Sequence, residues 1–288
     1  MEKNKTPPKK TYPIALSFDL EYWWCSELLK EIPLYGQREI IAEASEMVLD
    51  LLDTYDTRAT FFVLGEVAEK YPELIRKIHG QGHEIAAHGY SHSNVFSMTP
   101  EDFREDLIRV TKILSSLLGE KPLGFRAPNF SVDVSTPWVY RILNETGYKY
   151  SSSIFPFKTA IYGVPEAPLA PYFPSADNVT HPDPEGPVLE FPGSVLRVGG
   201  HNIPVSGGFY FRLLPVRITA LALRRIIGKR PAVFYLHLRD LYPDPPRLKG
   251  LPLKARIFHY YGIRPAALKL KFLLSRFSFL PVKAALGL

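Results

Sequence analysis

Through the first half of the chain, short apolar runs alternate with amphipathic segments of helical period. Residues 13–19 (Pro-Ile-Ala-Leu-Ser-Phe-Asp) read as a buried strand ending in a carboxylate. Residues 38–54 place Ile40, Ile41, Ala44, Met47, Val48, Leu51 and Leu52 on one helical stripe. Ala59-Thr60-Phe61-Phe62-Val63-Leu64 is a β-rich run closed by Gly65; a helix over 66–79 follows, interrupted or restarted at Pro72. Glu84-Ile85-Ala86-Ala87 is a short strand running into His88. Thr99-Pro100-Glu101-Asp102 starts a helix that reaches Leu118, with a hydroxyl N-cap, proline at the first position and acids in the first turn. Leu123-Gly124-Phe125 leads into Arg126, and a helix over 135–146 and a strand near 148–152 continue the series. Such alternation calls for a parallel sheet or barrel with helices outside it.

The rhythm breaks between Phe155 and Pro204, where ten prolines fall. That stretch fits a cover over a substrate cleft and a plain surface excursion equally well. It contains a strand at Val188–Phe191; a helix over 215–227 and a strong strand at Ala232–Leu236 then resume the pattern. With 288 residues, 46% of them hydrophobic, the chain has the material for one barrel-sized core, and no linker divides it. The expected organisation is a flexible segment over 1–12, a body over 13–250 carrying the proline-rich loop at 156–204, and a basic helical tail over 251–288.

A single cysteine, Cys25, excludes an internal disulfide and a thiolate metal cluster. The polar N-terminus lacks the apolar run of a signal peptide, and no stretch reaches the length of a membrane span, so a cytoplasmic location is expected. The net charge of +6 is local: residues 245–288 hold nine of the 35 basic residues and none of the 29 acidic ones. The body is therefore slightly acidic and shows no nucleic-acid recognition motif.

In parallel α/β folds, reactive groups gather at the C-terminal ends of strands. Here those ends carry Asp19 and Glu21, then His88, Arg126, Ser151–Ser153 and His237. His88 and His92, four residues apart in His88-Gly89-Tyr90-Ser91-His92, can chelate one cation if the backbone turns both rings the same way. A carboxylate from a separate strand end would complete an N,N,O set with positions left for water and substrate, the layout of a catalytic rather than a closed structural site. Taken alone, the two histidines would read as ordinary loop residues; the convergence of strand ends outweighs that. His83-Glu84 with His88 is not a zincin, because its histidines are five apart on a strand, and His83 reads as a packed histidine. Tyr22, Trp23 and Trp24 fit either core packing or a sugar-stacking wall, with Trp23 the candidate for the latter. Ser206-Gly207-Gly208-Phe209-Tyr210 fits a close backbone approach to substrate or a simple turn.

Seven segments, in order, resemble the polysaccharide deacetylases of the NodB-homology type, carbohydrate esterase family 4. They are Ser17-Phe18-Asp19-Leu20-Glu21; Arg58 to Gly65; Gly82 to His92; Arg126-Ala127-Pro128-Asn129-Phe130-Ser131; Ser152-Ser153-Ile154-Phe155-Pro156; Glu190-Phe191-Pro192; and Phe234-Tyr235-Leu236-His237. Within the family the chain is most similar to the exosortase-associated branch and to Helicobacter-type peptidoglycan deacetylase-like and allantoinase-like proteins. The resemblance implies a distorted (β/α)7 barrel of TIM-like form in a single α/β domain, and a divalent metal, zinc above Co2+, Ni2+ or Fe2+. It implies Asp19 as general base, Glu21, His88 and His92 as metal ligands, Arg126 contacting the base and His237 as general acid. The oxyanion needs a donor such as a backbone N–H near Asn129; Asn129 and Phe130 are candidate substrate-binding residues, and the resemblance implies that Leu236 helps form the pocket for the acyl methyl. Two positions depart from the family: Asp-Leu-Glu replaces Asp-Asp on the first strand, and Ser151 stands where an Asp often orients the acid histidine. Asp240, three residues after His237, is a candidate replacement.

The implied substrate is an acetylated amino sugar in a glycan or lipid-linked saccharide, and the implied reaction releases acetate. Another amide, such as a formyl sugar or a cyclic ureide, would suit the same machinery. A non-catalytic glycan-binding barrel would need neither base nor acid. In the tail, Ala266, Leu270, Leu273, Leu274 and Phe277 form an apolar stripe beside Lys269, Lys271 and Arg276. Packing on the body is expected of it, with peripheral contact to an anionic membrane as the alternative. A homo-oligomer is compatible with the sequence.

Overall fold

All seven residues of strand β1 (Ile14–Leu20) are buried. A strand covered on both faces is what the alternation demands, and β1 divides its side chains by the two-residue period. Leu16, Phe18 and Leu20 join the large cluster between sheet and helices, while Ala15 belongs to the small cluster inside the barrel. The computed structural model describes residues 11–29, 32 and 38–288. Of the segment expected to be flexible at 1–12, only Thr11 and Tyr12 fall among them.

The remaining strands are β2 (Thr60–Val63), β3 (Glu84–Ala87), β4 (Gly124–Phe125), β5 (Tyr150–Ser151), β6 (Leu189–Glu190), β7 (Val195–Val198), β8 (His201–Pro204), β9 (Ala232–His237) and β10 (Phe279–Leu280). The helices are α1 (Ile41–Thr54), α2 (Gly65–Lys70), α3 (Pro72–Gly80), α4 (Pro100–Leu118), α5 (Val139–Glu145), α6 (Gly208–Leu213), α7 (Val216–Ile227), α8 (Leu253–Tyr260), α9 (Ala266–Leu274) and α10 (Val282–Leu286). Seven strands pair in parallel in the order β9–β1–β2–β3–β4–β5–β6. This is the distorted seven-stranded barrel expected from the sequence. No ladder joins β6 to β9 among the described residues; the Val233 N–H donates instead to Ser194 Oγ across that seam (2.8 Å).

Register places the chemistry. Asp19 lies opposite His237, and Ala87 opposite Phe125, so that His88 and Arg126 leave the sheet side by side. Pro72 occupies the first turn of α3, which restarts the helical run there. Thr99 and Asp102 form a reciprocal capping box at α4.

Two features go beyond the sequence reading. The proline-rich stretch contains the hairpin β7–β8, turned by Gly199 and Gly200 at φ 55° and 84°, the left-handed pair a two-residue hairpin turn needs. The last ten residues form the floor of the barrel: β10 pairs with Ile14 and Ala15 of β1, and Val282 and Ala285 of α10 join Ala15, Phe62, Ala86, Tyr150 and Val233 inside the barrel. The first N–H groups of α10 are satisfied by the barrel itself, Val282 donating to Thr60 Oγ1 (2.7 Å) and Lys283 to Glu84 Oε2 (3.0 Å). Ala266, Leu270, Leu273 and Leu274 of α9 are buried against the main core.

Candidate active site

Glu21 sits one residue past β1, where the carboxylate can turn over the barrel mouth. Its Oε2 lies 2.7 Å from His92 Nε2 and 3.3 Å from His88 Nε2. All three ligand atoms fall within 4.8 Å of one another, and among the described residues this is the cluster able to hold a metal ion. The His88 tautomer is set by its surroundings. Its Nδ1–H donates to the Arg126 carbonyl at 2.7 Å, which leaves the Nε2 lone pair facing Glu21. His92 holds a left-handed backbone (φ 61°), an uncommon state for a histidine and one that turns its ring back toward His88. Two imidazole nitrogens and one carboxylate suit a borderline divalent cation with open positions. The donor set therefore fits the implied metal. Burial opposes charge on Glu21, but the charges of His92 and His237 outweigh it and hold the carboxyl well below its usual range.

Asp19 is the second carboxylate, and its partners differ. Arg126, fully buried, donates from one terminal nitrogen to Asp19 Oδ1 (2.7 Å) and Ser17 Oγ (3.0 Å). Its other nitrogens donate to the carbonyl and hydroxyl of Ser152, both at 3.1 Å, and its guanidinium lies 4.0 Å from the Phe62 ring centroid. Asp19 is thus a carboxyl group held by an arginine, pointing at the mouth beside Glu21, His88 and His92.

His237 ends β9 with Nε2 3.8 Å from Asp19 Oδ2 and 3.6 Å from Glu21 Oε1. Its other ring nitrogen is 3.1 Å from Asp240 Oδ2, which also accepts the His237 backbone N–H at 3.0 Å. Asp240 is in turn paired with the buried Arg212, Nε to Oδ1 at 2.9 Å. Burial would push the Asp240 carboxyl up; the charges of Arg212 and His237 reverse that and keep it ionised. Burial likewise lowers His237, and the carboxylates of Glu21, Asp240 and Asp19 raise it above its ordinary value.

These groups open into one pocket lined by Asp19, Glu21, Asn129, Phe130, Tyr162, Tyr235 and His237. Asn129 and Phe130 occupy a tight turn with φ of 54° and 50°. The Asn129 side chain donates to Glu27 Oε1 (2.9 Å) and Asn94 Oδ1 (2.8 Å), which pins the turn at the pocket edge.

Two sequence expectations are corrected. Leu236 does not face the pocket. Along β9 it points with Phe234 into the helix-facing core, whereas Tyr235 lines the pocket with His237. Trp23 packs on Leu29 and Ile40 and donates its indole N–H to the Arg38 carbonyl (3.0 Å), so it belongs to a satellite core. The aromatic wall is instead Phe130, Tyr162 and Tyr235 with Phe155 behind them. His83 is packed as expected, its Nδ1 accepting the Ala59 N–H. Gly207 and Gly208 give close approach, but to protein: a Cβ on Gly208 would lie 1.8 Å from Asp240 Oδ2.

A family model described as polysaccharide deacetylase matches residues 5–151, just over half of the chain. The chain belongs to the polysaccharide deacetylase family. A second model, described as a domain of unknown function, matches residues 152–287. The division falls inside the barrel, so this deacetylase-family chain takes Asp19, Glu21, His88, His92 and Arg126 from the first region and Tyr162, Arg212, Tyr235, His237 and Asp240 from the second. Among curated relatives, a peptidoglycan-N-acetylglucosamine deacetylase of Bacillus cereus is 38% identical over 86 residues, 30% of this chain and 31% of that protein. The chain thus spans about a third of the length of the first curated relatives it matches. The fold is shared with a candidate polysaccharide deacetylase of Mycobacterium smegmatis, at TM-score 0.62 and 23% identity over 98% of this chain and 92% of that one. It is also shared with an allantoinase, at TM-score 0.59 and 20% identity over 97% and 90%.

Arg212 and Tyr162 were missed by sequence reasoning. Tyr162 was hidden in the proline-rich stretch, and Arg212 falls between the 206–210 segment and the helix expected over 215–227, with no pattern that pairs it with Asp240. Tyr235 had a signal: the two-residue period of a strand puts it on the face of His237.

Proposed function

We propose that this chain hydrolyses the N-acetyl group of an amino sugar within a glycan, releasing acetate, with a divalent cation, zinc first, held by Glu21, His88 and His92. The observation that carries this reading is the convergence of three differently prepared groups on one pocket. They are the Glu21–His88–His92 cluster, the arginine-held Asp19, and the aspartate-held His237.

When bound, the cation polarises the amide carbonyl and makes a nearby water acidic enough to be deprotonated near neutral pH. Asp19 is placed to take the water's proton, and Arg126 keeps its carboxyl group aimed until it does. Asn129 and Phe130 border the place where negative charge develops on the carbonyl oxygen. His237, held by Asp240 through Nδ1, offers Nε2 to the departing nitrogen, which must be protonated before an amine can leave. Phe130, Tyr162 and Tyr235 present ring faces against which a sugar can stack. A binding-only barrel has no use for the last two charged pairs, and the aromatic wall suits a pyranose better than a small planar ureide.

The test is acetate release from N-acetylated glycan fragments by the protein as purified, after chelation, and after return of Zn2+. Activity that is lost and restored in step with one metal equivalent supports the reading. Loaded protein that is inert on every acetylated glycan but turns over formyl sugars or ureides overturns it.

A further inference from the structure

Helix α8 buries Ala255 and His259 and turns its opposite side outward. On that side Leu253 is 61% exposed and Ile257 46%, with Tyr261, just past the helix, at 52%. The three are spaced four apart, so they form one stripe. Lys254 and Arg256 are also exposed, and at 100° per residue they fall on either flank of it. The same helix reaches the active site: Phe258 lines the pocket beside Tyr162, His237 and Arg239, and stacks on Phe209 at 4.8 Å between centroids. The exposed stripe and the pocket mouth are therefore parts of one element.

The longer apolar stripe of α9 is spent on the core, since Ala266, Leu270, Leu273 and Leu274 are buried. The tail's exposed apolar surface beside the pocket is on α8. Charge decides what covers it. From Pro245 to Leu288 the chain carries no acidic residue, and cations border the stripe on both sides. A layer of anionic headgroups over hydrocarbon satisfies that arrangement at any rotation about the surface normal, whereas a protein partner must match it residue by residue.

We propose that α8 docks the enzyme on an anionic lipid surface. Leu253, Ile257 and Tyr261 enter the interfacial layer, Lys254 and Arg256 lie among the headgroups, and the pocket mouth beside Phe258 opens at the same surface. A saccharide attached to that surface would reach His237 without leaving it.

The test is co-sedimentation of the full chain with vesicles of phosphatidylcholine alone or mixed with phosphatidylglycerol, beside the double variants L253S/I257S and K254E/R256E. All four substituted side chains are exposed and none lines the pocket, and thermal melts of the variants check that they fold. Binding to the mixed vesicles is expected, weakened by about tenfold or more in each double variant, since each basic residue at such a surface is worth about fivefold in partitioning. Failure to bind mixed vesicles, equal binding to neutral ones, or binding unchanged in L253S/I257S would each overturn the proposal. The assay reads no turnover, so its outcome is separate from that of the deacetylase reading.

Discussion

At the residue scale, the site assigns its two carboxylates by their neighbours rather than by their type. Glu21 faces imidazoles and Asp19 faces a guanidinium, although the two lie only two residues apart in the chain. Asp19→Asn is expected to lower kcat about a thousandfold while metal content per chain stays at the wild-type value; loss of the metal with the activity would instead make Asp19 a ligand. Asp240→Asn is expected to lower kcat by about tenfold to a hundredfold with KM unchanged, because the amide can hold the ring without stabilising its charged form. Asp240 was legible in the sequence, lying one short turn after His237; Arg212 was not, because a 28-residue separation hides a buried pair. His83 gives a stability prediction. Burial, then the Arg58 charge, lowers it from 6.5 to about 4, and its Nδ1 must stay unprotonated to accept the Ala59 N–H. A histidine depressed in the folded state contributes stability above its unfolded value and loses it as pH falls toward the folded one. Urea denaturation should therefore show wild type losing stability against His83→Asn between pH 6.5 and about 4, at up to about 1.4 kcal/mol per pH unit.

At the element scale, the start of α6 acts as a shelf for Asp240. Gly208 leaves the space that the carboxylate fills, and a methyl there would meet it at 1.8 Å. Gly208→Ala is expected to reproduce the kinetic defect of Asp240→Asn while Gly228→Ala, where the nearest atom is at 3.4 Å, leaves kcat within about twofold. Circular dichroism would separate this from unfolding. Strand and helix positions in the first half were readable because their periods are strong and, at α4, because a capping box marks the start. The hairpin β7–β8 was obscured by flanking prolines and by the weak strand composition of His201-Asn202-Ile203-Pro204, although Gly199-Gly200 after Val195-Leu196-Arg197-Val198 is a hairpin-turn signal. The placement of Leu236 failed for a related reason: the motif was read as a string of letters, and only the pleat tells which neighbour of His237 shares its face.

At the scale of the whole molecule, the last ten residues serve the end of the barrel farthest from the chemistry. They supply two interior side chains, a short strand on β1, and the partners of Thr60 and the buried Glu84. Truncation after Ser278 is expected to cost about 3 kcal/mol of buried apolar contact and to lower Tm by roughly 5–10 °C, with hydrophobic-dye binding rising as the floor opens. No signal in the sequence announced this role, since Val282-Lys283-Ala284-Ala285-Leu286 is too short to show a face and its partners lie some 200 residues away. The barrel itself was legible because strand–helix alternation leaves few other folds, and the site because chemistry in such folds collects at strand ends.

Arg126 belongs to all three scales. Its carbonyl fixes the ring of His88, and its guanidinium fixes Asp19. The ligand and the base of the proposed mechanism are thus positioned by a single residue. A shift of the backbone at this residue is expected to carry both side chains in the same direction and so to keep the spacing of His88 and Asp19. Substitutions elsewhere in the rim should then alter which glycans enter more readily than they alter how a bound one reacts.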